Sequence, residues 1–91
     1  MYEEFVRSAA LLGEGAMQKL YNARVALFGV GGVGGWCAEA LARSGVGHID
    51  LYDGDVVSLS NINRQAVALH STVGRPKAEV MAERIRDISP A

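Results

Sequence analysis

The run Val25-Ala26-Leu27-Phe28-Gly29-Val30-Gly31-Gly32-Val33-Gly34 constrains this chain more than any other segment. A short apolar run fit for a buried strand ends in four glycines, and a helix-forming stretch follows at once. Glycine is favoured where backbone turns sharply or approaches a ligand closely, because a side chain would block the approach. The N–H groups that open the following helix face whatever sits over the turn, and their partial positive charge favours an anion, most often a phosphate. The run therefore predicts a β-turn-α unit that handles a nucleotide.

Gly29, Gly31 and Gly34 fit the G-x-G-x-x-G fingerprint of dinucleotide-binding sheets. The next apolar run, Ile49-Asp50-Leu51-Tyr52, ends in Asp53, where an acidic side chain can accept hydrogen bonds from ribose hydroxyls. The fingerprint is shared among several nucleotide folds, so at this point NAD and other nucleotides remain open. Gly32 adds a second glycine inside the turn, which lets the backbone come closer on that side.

A length of 91 residues suits one small domain, and 49% apolar residues suit a packed α/β unit rather than a disordered tail. A net charge of −1 argues against a broad basic surface for nucleic acid, though not against a local patch. No apolar stretch approaches the ~20 residues of a membrane span, and no basic region followed by an apolar core marks a secretory signal. The single cysteine, Cys37, forms neither an internal disulfide nor a Cys-rich zinc site, which makes a reducing, cytoplasmic setting the default.

The order of elements predicts an α/β fold. Tyr2 to Leu12 and Gly15 to Tyr21 read as helices, and residues 1–22 as a helical arm ahead of a nucleotide-binding unit at 23–91. Arg24 to Phe28 reads as a strand buried on both faces. Val33 to Ser44 reads as a helix whose buried stripe is Val33, Cys37, Ala40 and Leu41, stopped by Gly45. Val46 to Tyr52 is a second strand. Asp53 to Thr72 is a long polar connection with a helical turn near Asn63 to Leu69. Pro76 opens a last helix to about Ile88, with Met81, Arg84, Ile85 and Ile88 on one side and Ser89-Pro90 as its stop. Two parallel strands make a poor sheet, and the last helix is placed to cross over to a third strand, so the pattern reads as the N-terminal piece of a longer protein or as one that depends on a partner.

The connection decides between nucleotides. It leaves the carboxyl end of the second strand, where open α/β sheets bind ligands. It gathers Asp53, Asp55, Ser60, Asn61, Asn63, Arg64, Gln65 and, beyond V-G-R-P, Lys77. An NAD enzyme has little need for so many polar groups there, whereas a triphosphate with a departing pyrophosphate does. Arg64 can grip phosphate oxygens in a fork and Lys77 supplies a compact charge. Together they are the candidate catalytic pair, acting by positioning and electrostatics on in-line attack at the α-phosphorus. The plainer alternative for both is a surface salt bridge.

Three segments also carry a family resemblance: F-G-V-G-G-V-G-G-W, Y-D-G-D-V-V-S-L-S-N-I-N-R-Q and V-G-R-P-K-A-E-V. They resemble the adenylation domain shared by the ThiF, MoeB and ubiquitin-activating enzymes. Trp36, A-E-A-L-A-R-S-G-V-G, N-I-N-R-Q and A-L-H are most similar to the tRNA threonylcarbamoyladenosine dehydratase branch. The resemblance runs from about Phe5 to Pro90 and implies a Rossmann-like ATP-binding fold. It implies that Gly31 and Gly32 lie against the phosphates, that Asp53 holds the ribose, and that Asn61, Arg64 and Lys77 contact phosphates. It implies magnesium, with Asp55 as a helper and the family's main metal-binding aspartate downstream of Ala91. It implies a homodimer in which an N-terminal arginine, for which Arg7 is the candidate, reaches the partner's ATP. The implied chemistry is ATP-dependent activation of a carboxylate. That carboxylate sits on a threonylcarbamoyl group of tRNA in the dehydratase branch and at the C-terminus of a ubiquitin-like or sulfur-carrier protein in the others.

Plainer readings apply elsewhere. Cys37 reads as a small core residue, and His48 and His70 lack the spaced partners of a metal site. Trp36 reads as packing, Arg43, Arg84 and Arg86 as solvated helix positions, and Arg7 alternatively as an ordinary surface residue. Asp55 is balanced between capping the loop and aiding a metal. Two rival functions remain: a nucleotide-binding module that turns nothing over, and a piece that keeps the turn without catalysing.

Overall fold

The computed structural model describes residues 3–89. The expected helix start at Tyr2 and stop at Pro90 lie outside them. A 3-10 turn at Glu3–Phe5 leads into α1 (Val6–Leu12) and α2 (Glu14–Asn22). There follow β1 (Arg24–Phe28), α3 (Gly32–Ser44), β2 (His48–Tyr52), a 3-10 turn at Leu59–Asn61, and α4 (Lys77–Ile88). β1 and β2 pair in parallel, with Arg24 opposite His48 and Phe28 opposite Tyr52. α3 packs on β1, α4 on β2, and the two helices on each other. No helix among the described residues is long and apolar enough to cross a membrane.

Both helices lie on one face of the sheet, and this corrects the expected burial of β1. Val25 and Leu27 point toward the helices and are half-buried, while Arg24, Ala26 and Phe28 on the other face are exposed. Covering both faces of a parallel sheet takes helices on both sides. Here the outer face carries an exposed Arg24–Asp50 ion pair and a Phe28–Tyr52 stack.

The core joins Val30, Ala38, Val57, Ala66, Val67, Ala68, Val80 and Met81, with Leu27, Leu51 and Ile85 against it. Four of these residues come from the connection expected to be polar. Thr72 anchors them from a buried position: its hydroxyl donates to the Val67 carbonyl at 2.6 Å and accepts the Leu69 N–H at 2.9 Å. The expected helical turn at Asn63 to Leu69 is instead the earlier 3-10 turn followed by non-helical turns, which let Ala66-Val67-Ala68 reach inward.

α3 also corrects its expected stripe. Its buried residues are Gly35, Ala38, Glu39 and Ala42, whereas Val33 is 88% exposed and Cys37 is exposed. The reason is distance. A Cβ on Gly34 would stand 1.9 Å from the Gly29 carbonyl oxygen, so the start of α3 rides directly on the turn backbone. At that approach only small residues fit the facing side, and the larger apolar ones face outward. Gly45 ends α3 in the left-handed conformation at φ 101°, its N–H and that of Val46 returning to the Ala42 and Leu41 carbonyls. β2 begins at His48, two residues later than expected, because Val46 and Gly47 are still part of that closure and its return to α2.

Candidate functional site

The site lies where both strands end. Gly29 closes β1 by donating its N–H to the Tyr52 carbonyl at 2.7 Å. The turn then exposes its amides above the two strand ends. Asp53, directly after β2, receives the Val30 N–H on Oδ2 at 2.9 Å and the Asp55 N–H on Oδ1 at 2.8 Å. Burial works against charge on this carboxyl, but the two backbone N–H groups and the Lys77 ammonium outweigh it and hold its pKa below the ordinary range. Each oxygen has accepted one hydrogen bond and retains capacity for another.

Lys77 is brought to Asp53 by a short antiparallel bridge between Val56 and Pro76. The Val57 N–H donates to the Arg75 carbonyl, the Gly74 N–H to the Val57 carbonyl, and the Lys77 N–H to the Asp55 carbonyl. Lys77 opens α4 and is only 8% exposed. The connection is thereby folded back on itself, and the Lys77 ammonium, 24 residues on in sequence, comes close enough to act on the Asp53 carboxyl.

The other wall is the segment from Ser58 to Gln65. Ser58 and Asn61 cap each other reciprocally, with Asn61 Oδ1 accepting the Ser58 N–H at 2.9 Å. Asn61 is buried, and its carbonyl accepts the N–H groups of Arg64 and Gln65. The Arg64 Nη1 donates to the Ser60 carbonyl at 3.0 Å and to Asn63 Oδ1 at 2.8 Å. That saturates one nitrogen and leaves the Nε–Nη2 edge, the edge that matches a phosphate in a fork, without an acceptor among the described residues. The Arg64 carbonyl accepts the Trp36 indole N–H at 3.0 Å.

Gln65 seats this segment on the glycine turn. Its Nε2 lies 3.5 Å from where a Cβ on Gly31 would be, and the residue is 9% exposed. Its Oε1 is buried with no hydrogen-bond partner. An acceptor left unanswered in the interior costs about 1–3 kcal/mol, so Gln65 is a place where the fold gives up stability.

The structure therefore brings together Gly29, Gly31, Asp53, Asp55, Gln65 and Lys77. Gly32 opens α3 beside them, and Ser60, Asn61, Asn63 and Arg64 form the adjoining segment. Ser60 and Asn63 serve as acceptors that orient Arg64. Arg7 is not brought to the others. It follows Phe5, which with Met17 packs at Gly45, at the far end of α3. Thirteen helical residues separate that end from the glycine turn, about 20 Å. Among the described residues no three His, Cys, Asp or Glu side chains are grouped to hold a metal ion, so Asp55 is an isolated candidate.

Two features escaped the sequence reading. Phe28 and Tyr52 stack with centroids 4.8 Å apart at 14°, forming a ledge below the turn. The signal was present, since each aromatic directly precedes a site residue, Gly29 or Asp53, and the parallel register sets them opposite. Glu39 is the second. It is 8% exposed and takes Arg84 Nε at 3.1 Å and Arg43 Nη2 at 3.0 Å. Arg84, expected to be merely solvated, thus clamps α4 to α3, while Arg43 stays exposed on α3 and adds an i,i+4 contact to the same carboxylate. Hydrogen bonding from Arg84 holds the Glu39 pKa below its ordinary value against the opposing effect of burial, with Arg43 adding to it.

Comparisons with known proteins bear out the fold. The tRNA threonylcarbamoyladenosine dehydratase of Bacillus subtilis is 52% identical over 90 residues, covering 99% of this chain and 35% of that protein. The crystal structure of the Escherichia coli tRNA N6-threonylcarbamoyladenosine dehydratase in complex with ATP superposes with a TM-score of 0.94 at 53% identity, covering 97% of this chain and 36% of that one. The molybdopterin-synthase adenylyltransferase of Escherichia coli is 41% identical over 73 residues, covering 80% of this chain and 29% of that protein. The chain thus spans about a third of the length of the curated relatives it matches. The ThiF family model matches residues 5–91, and the chain belongs to the ThiF family.

Proposed function

We propose that this chain supplies the nucleotide-binding part of an enzyme that uses ATP to activate a carboxylate, and that in the intact protein the carboxylate belongs to threonylcarbamoyladenosine in tRNA. The observation that carries the reading is the convergence, at the strand ends, of the glycine turn that opens α3, the Asp53 carboxylate that accepts the Val30 and Asp55 N–H groups, and Lys77 at the start of α4. A solved relative at 53% identity is in complex with ATP, which supports that nucleotide over NAD.

The residues fit a triphosphate. The amides at Gly31 and Gly32, at the N-terminus of α3, lie against phosphates. Asp53 holds ribose hydroxyls with its remaining acceptor capacity. Arg64 presents its free edge, Lys77 its ammonium, and Asn61 its amide N–H2 to phosphate oxygens. Gln65 faces Gly31 with Nε2, the atom of that side chain able to donate to a phosphate oxygen. The carboxylate oxygen attacks the α-phosphorus of ATP and pyrophosphate leaves, so that oxygen later departs with AMP when the ring closes. Arg64 and Lys77 offset the negative charge that develops during that transfer, in a crevice where their own partners already hold them in place. Ring closure with net loss of water then completes the dehydration. The reading includes magnesium accompanying ATP, with Asp55 as one contact from this segment and no step assigned to it. It also includes a cytoplasmic homodimer. Arg7 is exposed and remote from its own glycine turn, so a second copy is what would bring it to a nucleotide.

A second reading is adenylation of the C-terminus of a ubiquitin-like or sulfur-carrier protein. The 41% identity to molybdopterin-synthase adenylyltransferase supports it, and the higher identity to the dehydratases over more of the chain ranks it second. The test is turnover of ATP by the intact protein with tRNA bearing threonylcarbamoyladenosine, and separately with a carrier protein. Arg64→Ala is expected to lower turnover about 10²–10³-fold, the scale of one lost transition-state contact. Turnover within twofold of wild type removes Arg64 from the mechanism. Calorimetry showing tight NAD binding and no response to ATP–magnesium replaces the enzyme with a non-catalytic nucleotide-binding module.

A further inference from the structure

Trp36 stands out on the exposed side of α3. The ring is 52% exposed, so burial of apolar area does little to explain its position. It makes one specific contact: its indole N–H donates to the main-chain carbonyl of Arg64 at 3.0 Å, across 28 residues of sequence. The other polar attachments of Arg64 are local. Its N–H goes to the Asn61 carbonyl, and its Nη1 goes to Ser60 and Asn63. These bonds shape the segment internally but do not tie it to the glycine turn. The Trp36 bond does, because Trp36 lies one turn into the helix whose first residues follow Gly31.

We propose that Trp36 is a positioning residue, holding the backbone of Arg64 so that the free edge of the guanidinium stays aimed over the glycine turn. This rests on the reading of Arg64 as a phosphate contact. A long side chain on an unanchored 3-10 turn loses rotamer and backbone freedom each time it engages a transferring group. An anchor at its own carbonyl removes part of that cost in advance. Arg64 is thus held at three points (N–H, carbonyl and Nη1), while Nε and Nη2 are left to work.

A double-mutant cycle in the intact protein tests this. Trp36→Phe keeps an aromatic ring and removes the N–H. In the wild-type background it is expected to lower kcat about fivefold, the scale of one neutral hydrogen bond, with KM for ATP within twofold. In the Arg64→Ala background it is expected to change nothing, because no guanidinium remains to be aimed. Rates are normalised to nucleotide sites titrated by calorimetry, so partial unfolding does not imitate a loss of kcat. Hydrogen exchange supplies an independent readout, with faster exchange expected at residues 60–65 and unchanged protection in β1 and α4. A Trp36→Phe loss of equal size in both backgrounds, no loss in either, or exchange that rises throughout the chain overturns the proposal. If Arg64→Ala itself leaves turnover intact, the reading of Arg64 fails and the role of Trp36 with it. If Arg64→Ala is damaging while Trp36→Phe adds in full, only the role of Trp36 fails.

Discussion

The two ends of α3 are built from similar residues and treat their polar groups in opposite ways. At its C-terminal end Gly45 closes the helix, Phe5 and Met17 pack against the closure, and the buried Glu39 one turn earlier is matched by two arginines. At its N-terminal end one edge of Arg64 and the Oε1 of Gln65 lack partners among the described residues. The first end has the completeness expected of structure. The second carries unsatisfied polar groups, which folded proteins leave at few places other than functional sites. Sequence composition does not separate the two, since both ends are rich in glycine and alanine with one charged cluster nearby.

Four substitutions in the intact protein sharpen or break this contrast. The largest effect is expected at Gly34, where the turn itself is structural. Gly34→Ala drives a Cβ into the Gly29 carbonyl, and because the obstacle is backbone it cannot move aside. We expect a loss of about 3 kcal/mol or more, read as a collapse of the thermal transition. Gly32→Ala is the control: a Cβ there meets nothing within 4 Å, so stability is expected to hold while ATP affinity falls. If both variants fold equally well, the close approach of α3 to the turn is wrong.

The next effect concerns the structural end. Glu39→Gln is expected to cost about 1–2 kcal/mol, less than a fully buried pair because both arginines keep contact with water. The pH dependence follows from the sign of the shift. The folded carboxyl titrates below its unfolded value of about 4.3, so its contribution is fully present above that pH. It is lost as pH falls through the folded value. Denaturant unfolding followed from pH 6 to pH 3 is expected to fall less steeply in Glu39→Gln than in wild type. Parallel curves mean the clamp contributes nothing.

The smallest stability effect is expected at the other end, with the opposite sign. Gln65→Leu removes a buried acceptor that has no partner, and unliganded stability is expected to rise by about 1 kcal/mol or stay level. ATP affinity, measured by calorimetry, is expected to fall. A variant less stable than wild type, with ATP binding unchanged, would mean that Gln65 is structural and that the two ends do not differ as described.

Much of this was legible in the sequence, for identifiable reasons. β1 and the end of α3 fell where expected, because an apolar run into glycines and a glycine after a helix are local signals with local causes. The acid after β2 and the lysine after Pro76 were also found, and the structure places them together. Cys37 and the rest of the expected α3 stripe were misread because hydrophobicity was taken as the guide to burial. The closeness of the turn backbone instead reserved the inner face for Gly35, Ala38 and Ala42. Arg84 was misread because its partner, Glu39, lies 45 residues away, and no local pattern announces such a pair.

What the chain alone determined is which groups are on offer: a bare glycine turn, an acid after the second strand, and two cations in a polar connection. Those are properties of residue type and short spacing, and they survive without knowledge of packing. What the tertiary structure decided is which polar groups are already used. Ser60 and Asn63 were absorbed into orienting Arg64, Asn61 into a cap, and Glu39 into a clamp, while Gln65 was left buried and unanswered. That division depends on partners brought together from distant parts of the chain. Hydrogen bonds are short and directional, so a displacement of an ångström or two changes which groups are satisfied and which remain open to a ligand.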